Sequence, residues 1–301
     1  MSGDGGDCGT GRGPLEPAAG RMALDGLAGA PAGSRQPLGA AGGPDAAGAI
    51  ALAELQGVSL RRPASSVLRT ASEPDLVSRL DWRIAAGERW AVIGRNAAGK
   101  STLLRALAGL QPPASGHVLW AGQPPGQWAP QAAAAHRAWM PQHSQDRFRL
   151  SVARLLALSR CGPGGLGTEQ ALALLDAGAL LRRDVRELSG GERQRVALAQ
   201  VLVQGARLWL LDEPVAFQDP AHQAQVAQVL RQQVGEGAPC AAVFSAHDIN
   251  WVAAVATHVL ALLGDGRWRA GPAAELLGAA LLEEVYGCGW RQAGGLWIPL
   301  I

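Results

Sequence analysis

The segment from Gly94 to Ser101 could bind a phosphate group. Two glycines are separated by four residues and followed directly by lysine and serine, which is the spacing of a loop whose backbone N–H groups wrap anionic oxygens. A helix that begins here would direct the positive end of its dipole at the same oxygens. The candidate nucleotide-binding residues of this loop are Gly94, Arg95, Asn96, Ala97, Ala98, Gly99, Lys100, Ser101 and Thr102.

The basic residues of the chain single out one position in this loop. Among the 27 lysine and arginine residues, Lys100 is the only lysine. A sequence that uses arginine wherever surface charge is enough, and keeps lysine here, indicates a need for a compact ammonium group. We therefore expect Lys100 to bridge the β- and γ-phosphates of a nucleotide and the Ser101 hydroxyl to ligate Mg²⁺.

Two carboxylates follow a strongly apolar run. Residues 208–211 are typical of a buried strand, and Asp212 and Glu213 come directly after it. Because ligands bind at the carboxyl edge of a parallel sheet, Asp212 is a candidate Mg²⁺ ligand and Glu213 a candidate base for an attacking water. Taken alone, the pattern is weak, because a strand that ends in acidic residues is more often simply a strand that enters a loop.

The run from Leu188 to Arg195 indicates a particular class of nucleotide-binding protein. It reads LSGGERQR and resembles the LSGGQ-type signature of the ABC ATPase superfamily, with Glu192 in place of glutamine. The resemblance extends over about residues 52–300. Three further landmarks of that family follow its order and approximate spacing, and they are Gln142, Asp219 and His247.

The resemblance implies a role for each residue around the phosphate group. Asp212, Ser101 and Gln142 would contact Mg²⁺, and Gln142 would also sense the attacking water. Glu213 would polarise that water, and His247 would contact the γ-phosphate and link it to Glu213. ATP and Mg²⁺ are therefore the expected ligands.

The resemblance also implies that each ATP site is shared between two copies of the chain. Ser189, Gly190 and Gly191 would close over the ATP held by a second, head-to-tail subunit, and Asp219 would help to set that partner site. One position departs from the family, since Ala97 stands where glycine is usual and has less conformational freedom at positive φ. We expect nucleotide binding to survive this change.

The elements needed to position these residues are those of an α/β fold. The predicted fold is a P-loop NTPase of the ABC ATPase type, with a mainly parallel core sheet, an antiparallel β region and a helical subdomain at about residues 143–187. Apolar runs predict core strands at residues 89–93, 208–211 and 241–245. Helical patterns are found at residues 102–107, 150–181, 192–203 and 220–234.

The first part of the chain has a different composition from the rest. Glycine, alanine and proline make up most of residues 1–50, without helical or strand periodicity. Such a segment cannot bury enough apolar surface to offset its loss of conformational entropy. We predict a disordered tail over residues 1–51 and an ABC ATPase domain over residues 52–301.

Composition limits the function classes. The net charge of only +2 argues against a dedicated nucleic-acid-binding protein. The four cysteines lie far apart, which argues against a disulfide scaffold or zinc site and favours a reducing compartment. No run reaches the roughly 18–20 apolar residues of a membrane-spanning helix.

Three segments refine the resemblance. Residues 138–142, 247–250 and 271–277 resemble the ATP-binding subunits of importers for cobalamin, ferric siderophores and haem. This implies an ATP-hydrolysing subunit that energises uptake of a metal chelate such as cobalamin or a ferric siderophore. Its partners would be a second identical subunit, two membrane permease subunits and, indirectly, a periplasmic or lipoprotein solute-binding protein, at the cytoplasmic face of the inner membrane. The alternatives are a soluble non-transport ABC ATPase and an ABC subunit for another cargo.

Overall fold

The computed structural model describes residues 51–62, 75–142 and 149–300. Apart from Ala51, the predicted tail over residues 1–51 lies outside the described residues. Residues 143–148 of the predicted helical subdomain also lie outside them. The predicted division into tail, ATPase domain and helical subdomain therefore stays a prediction.

Strands and helices alternate along much of the described chain. The strands are β1 (Ala53–Leu60), β2 (Val77–Ile84), β3 (Arg89–Gly94), β4 (Ser115–Trp120), β5 (Arg137–Met140), β6 (Leu208–Leu211), β7 (Ala241–Ser245), β8 (His258–Leu262), β9 (Trp268–Pro272), β10 (Trp290–Ala293) and β11 (Leu296–Pro299). The helices are α1 (Lys100–Leu107), α2 (Pro130–His136), α3 (Val152–Ser159), α4 (Thr168–Ala173), α5 (Gly190–Gln204), α6 (Pro220–Gln233), α7 (Ile249–Val255), α8 (Ala273–Leu276) and α9 (Ala279–Tyr286).

A six-stranded sheet with the order β5-β6-β7-β3-β8-β9 carries the candidate site. Its strands pair in parallel, except that β9 is antiparallel to β8. The central strands are buried throughout, as their near-continuous apolar sequences predict for a parallel sheet covered on both faces. Because parallel strands end at the same edge, the residues that follow β3, β5, β6 and β7 meet there.

Two apolar cores cover the two faces of this sheet. One core contains α1 and the antiparallel sheet β2-β1-β4, and the other contains residues of α3 to α7 and α9. Alternate strand residues divide between them, so that Ala91 and Ile93 enter one core while Trp90 and Val92 enter the other. This arrangement confirms the predicted fold class, with a mainly parallel core sheet and an antiparallel β region.

One helix prediction was wrong in detail. The helical pattern over residues 150–181 is not one helix, because α3 ends at Ser159 and α4 begins at Thr168. The intervening segment contains Gly162 and Gly165, where a Cβ atom would collide with the backbone of Gly205 or Val203. Close backbone packing at the end of α5 therefore requires glycine here and interrupts the helix.

Candidate active site

The phosphate-binding loop lies between β3 and α1, at the carboxyl edge of the central sheet. Gly99 directly precedes α1 and has φ +105°, a conformation that favours glycine. A Cβ atom at this position would lie 3.1 Å from Cβ of Leu76, so a side chain would also be crowded. The strand, loop and helix thus occur in the order that the predicted phosphate site requires.

Lys100 is held inside this loop. Its side chain is almost buried, and Nζ donates hydrogen bonds to the carbonyl oxygens of Gly94 at 2.8 Å and Arg95 at 3.1 Å. Burial lowers the pKa of Lys100, whereas the nearby carboxylates of Glu213 and Asp212 act in the opposite direction. The ammonium group therefore lies close enough to both carboxylates to interact with them electrostatically.

Ala97 adopts the backbone conformation for which glycine would be easier. Its φ is +61°, in the left-handed region. For a residue with a Cβ atom this conformation costs about 1 kcal/mol. Ala97 is exposed, so its methyl group is not forced into the core. The loop keeps the left-handed backbone at this position although the residue is alanine.

The carboxylate of Asp212 is positioned by the neighbouring strands. Its backbone N–H donates to the carbonyl oxygen of Met140, at the end of β5. The Ser245 hydroxyl, at the end of β7, donates to Asp212 Oδ1 at 2.7 Å. Asp212 is only 3% exposed. A carboxylate that the neighbouring strands hold in place in this way is a suitable oxygen ligand for a divalent cation.

Glu213 has a strained backbone that its neighbours hold in place. Its φ is +53°, which is uncommon for a residue with a long side chain. The Glu213 N–H donates to Ser245 Oγ at 2.8 Å, and Gln194 Nε2 donates to the Glu213 carbonyl at 2.6 Å. His247 Nε2 lies 2.9 Å from Glu213 Oε1. The turn thus aims the carboxylate at His247, which follows β7.

Gln142 reaches the same edge of the sheet from β5. Met140 pairs with Leu211, so the second residue after β5 stands beside the second residue after β6. Gln142 is half-buried. The sheet register therefore brings Gln142 to the level of Glu213.

The signature residues form a helix N-terminus. Ser189 caps α5, since its Oγ accepts a hydrogen bond from the Glu192 N–H at 3.3 Å. The Glu192 carboxylate accepts in return from the Ser189 N–H at 2.8 Å. Gly190 and Gly191 form the first turn, whose N–H groups lack partners within the helix and make such a terminus a favourable anion site.

Asp219 and the signature share an open pocket of about 480 Å³. Its described lining comes from residues 189–192, Arg195, 217–219 and His222, and none of it comes from the phosphate-binding loop. Asp219 caps α6 and accepts hydrogen bonds from His222 N–H and Nδ1 at 3.0 and 2.8 Å. Both bonds lower the pKa of Asp219, and the bond from the His222 backbone N–H makes the larger contribution.

The predicted residues thus divide into two groups. The phosphate-binding loop, Asp212, Glu213 and His247 come together at the carboxyl edge of the sheet, and Gln142 stands at that edge. Ser189, Gly190, Gly191 and Asp219 line the separate pocket. Two positioning residues were missed from the sequence, Ser245 and Gln194. Both lie inside runs that carry a motif, but only the folded strands show that they hold Asp212 and Glu213.

The chain resembles known proteins over most of its length. Residues 77–216 match the family described as ABC transporter. The chain is 40% identical over 216 residues to the hemin import ATP-binding protein HmuV of Streptomyces coelicolor, which covers 69% of this chain and 76% of that protein. This chain belongs to the ABC transporter family. This ABC ATPase is also 37% identical over 221 residues to the vitamin B12 import ATP-binding protein BtuD of Vibrio cholerae, covering 69% of this chain and 87% of that protein.

Solved structures of the family share the fold of this ABC ATPase. A metal-chelate type ABC transporter in an inward-facing conformation has a TM-score of 0.66 and 23% identity, covering 83% of this chain and 98% of that chain. An ATP-binding subunit of an ABC transporter has a TM-score of 0.64 and 21% identity, covering 75% of this chain and 91% of that chain. Family membership confirms the predicted ATP binding and ATPase activity. Within the described ranges, no helix combines the length and apolar character needed to cross a membrane.

Proposed function

We propose that this ABC ATPase energises the import of a metal chelate of the haem, cobalamin or ferric-siderophore type. The proposal is supported by its likeness to the hemin and vitamin B12 import ATP-binding proteins over more than two thirds of the chain. The observation that carries the catalytic part is the contact of 2.9 Å between His247 and Glu213, next to the lysine of the phosphate-binding loop.

The residues at the sheet edge suit hydrolysis of a triphosphate. Glu213 would accept a hydrogen bond from the attacking water and orient it towards the γ-phosphorus. His247 would join that carboxylate to a γ-phosphate oxygen. Lys100 would exchange its bonds to the Gly94 and Arg95 carbonyls for bonds to the β- and γ-phosphates. Positioning and charge stabilisation are the main requirements of phosphoryl transfer.

The donor set also fits Mg²⁺. Asp212 supplies a buried carboxylate and Ser101 a hydroxyl, both hard oxygen donors, and Gln142 supplies an amide oxygen at the same edge. Mg²⁺ is commonly bound by one or two protein carboxylates together with the phosphates of the nucleotide. When bound, it would neutralise charge on those phosphates.

Two copies would assemble head-to-tail around two ATP molecules. Support comes from the separation of the anion site at the start of α5 from the phosphate-binding loop, since none of the pocket's described lining belongs to that loop. Ser189, Gly190 and Gly191 would therefore bind the triphosphate that is held by the other copy, with Asp219 beside them. ATP would join the two subunits, and hydrolysis would release them.

The proposed complex contains more than the ATPase dimer. Two membrane permease subunits would receive the conformational change through the helical region after Gln142. A periplasmic or lipoprotein solute-binding protein would deliver the chelate from outside. The ATPase would then act as a peripheral subunit at the cytoplasmic face of the inner membrane, without contact to nucleic acid.

Uptake by cells that lack this chain tests the proposal. The deletion strain should lose uptake of hemin, cobalamin or a ferric siderophore, each supplied separately as a labelled compound. The wild-type gene should restore uptake, whereas Glu213→Gln should not, although its protein is present in equal amount. Unchanged uptake of all three chelates in the deletion strain would contradict the proposal.

A further inference from the structure

A carboxylate stands inside the pocket that the second copy's triphosphate would enter. Glu192 lines this pocket together with Ser189, Gly190 and Gly191. A negative charge at this place opposes the approach of an anion, because like charges repel more strongly at a partly desolvated interface than in bulk water. The ABC ATPase must therefore neutralise this charge, or the shared site loses affinity for the triphosphate.

The contacts of Glu192 explain why a carboxylate is present. Its Oε2 accepts from the Ser189 N–H at 2.8 Å, while its own N–H donates to Ser189 Oγ at 3.3 Å. This reciprocal pair is a capping box, which fixes the first turn of α5.

Arg183 supplies the opposite charge. Its Nη1 donates to Glu192 Oε1 at 2.9 Å, and its Nη2 donates to the carbonyl oxygen of Glu187 at 2.8 Å. The pKa of Glu192 lies below its usual range, so the group stays ionised. The hydrogen bond from the Ser189 N–H is the largest cause, and the charges of Arg183 and Arg195 make smaller contributions. The side chains of Arg183 and Glu192 are 41% and 22% exposed, which allows moderate solvent screening.

We propose that Arg183 is a positioning residue that neutralises Glu192 and thereby allows the signature pocket to accept the triphosphate held by a second copy. The inference rests on the proposed head-to-tail pairing. Arg183 acts through Glu192 and Ser189 and does not itself touch the nucleotide. It also ties the Glu187 carbonyl, before the signature, to the first turn of α5.

A charge rescue separates this role from a purely structural one. Arg183→Met removes both the charge and the bond to Glu187. Glu192→Gln removes the opposing charge and keeps a side-chain oxygen that can accept from the Ser189 N–H. If neutralisation is the function of Arg183, adding Glu192→Gln should restore the ATP-dependent dimerisation that Arg183→Met weakens. If the bond to Glu187 is what matters, the double variant should stay defective.

ATP-dependent dimerisation of the full chain measures the effect. All variants carry Glu213→Gln, which should prevent hydrolysis, and sedimentation velocity gives the dimer fraction at increasing concentrations of Mg²⁺ and ATP. Exposed ion pairs contribute modestly, about three-fold per site, so Arg183→Met should lower the dimerisation constant at a fixed ATP concentration by about ten-fold in a dimer with two such sites. The double variant with Glu192→Gln should return to within about two-fold of the reference.

A matched control and three outcomes decide the result. Arg186→Met breaks an ion pair with Asp184 in the same segment and should leave dimerisation unchanged. Normal dimerisation of the Arg183→Met variant, or a double variant as weak as the single one, would overturn the assignment. A reference chain that stays monomeric at saturating ATP would overturn the proposed pairing and this inference with it.

Discussion

At the scale of single residues, Glu213 is held by contacts that leave its carboxylate facing His247. Its backbone has φ +53°, and Ser245 and Gln194 bind its N–H and carbonyl. We expect Glu213→Gln to lower ATP turnover by at least about 100-fold, since an amide cannot accept the proton of the attacking water. Phosphate release measures turnover, and calorimetric titration should show ATP affinity within a few-fold of the wild type. Unchanged hydrolysis would remove Glu213 from this role.

Substitutions of Lys100 test whether the phosphate-binding loop binds ATP. The Lys100 side chain is almost fully buried and its ammonium group is hydrogen-bonded to a loop carbonyl, whereas a guanidinium group is larger and planar. Lys100→Ala should weaken ATP binding by roughly 10- to 100-fold, because charge-assisted hydrogen bonds to the phosphates are lost. Lys100→Arg should also bind poorly although the charge is kept. Equilibrium binding of a labelled ATP analogue checks both, and tight ATP retention by Lys100→Ala would contradict the assignment.

The position of these residues at one edge of the sheet could be predicted from the sequence because the motifs are local. Lys100, Asp212 and His247 each directly follow an apolar strand or its loop, so their position at one edge follows from parallel pairing. Ser245 and Gln194 could not be assigned in this way. Their roles depend on hydrogen bonds to a residue 32 or 19 positions away, and no local pattern encodes such a contact.

At the scale of elements, α7 joins the site to the C-terminal hairpin formed by β10 and β11. Asn250, three residues after His247, accepts from the Trp297 N–H at 2.7 Å and donates to the Trp297 carbonyl at 3.2 Å. Asn250→Ala should lower the free energy of unfolding by about 1–2 kcal/mol, since two partly buried hydrogen bonds are lost.

Urea denaturation measures this change in the free energy of unfolding. Gln292→Ala, at an exposed position of β10, is the matched control and should change stability by less than about 0.5 kcal/mol. If Asn250→Ala is as stable as this control, the hairpin is not anchored through Asn250.

The elements themselves were predictable to different degrees. The core strands β3, β6 and β7 are short and mostly apolar, so their pattern predicts them directly. The break between α3 and α4 was missed because helical periodicity continues on both sides of the glycines. Its cause is the close approach of Gly162 and Gly165 to the end of α5, a tertiary contact that a local pattern does not contain.

At the scale of the whole molecule, buried histidines link stability to pH. His136 is 4% exposed, packs against Trp120 and Trp128, and lies 2.9 Å from the Leu52 carbonyl. Burial lowers the pKa of His136, as it also does for His258. The unfolded chain therefore takes up protons at a higher pH than the folded chain. Stability is fully present above the ordinary histidine pKa and falls as the pH drops below it.

His136→Gln tests this dependence. Glutamine can donate to the Leu52 carbonyl without titrating, so the loss of stability between about pH 7 and pH 5 should be smaller than in the wild type. Thermal unfolding across this pH range measures the change. His117→Gln, on the exposed side of β4, should keep the wild-type dependence. An unaltered pH profile in His136→Gln would contradict the prediction.

The proposed assembly depends on the two groups of site residues. If the phosphate-binding loop and the signature pocket are each half of an ATP site, every intact site should need two chains. Gly190→Asp would place a carboxylate in the pocket, where the structure leaves space for a side chain, with 3.9 Å to Cβ of Phe217. Lys100→Ala damages the other half.

Mixing these two damaged chains tests the shared site most directly. Both carry Glu213→Gln, and labelled ATP that stays with the dimer after removal of free nucleotide is counted. A mixed dimer has one site built from the sound loop of one chain and the sound signature of the other. We therefore expect about one ATP per mixed dimer and none with either variant alone. If the mixture retains no more ATP than the separate variants, each chain encloses its own nucleotide and the shared site is wrong.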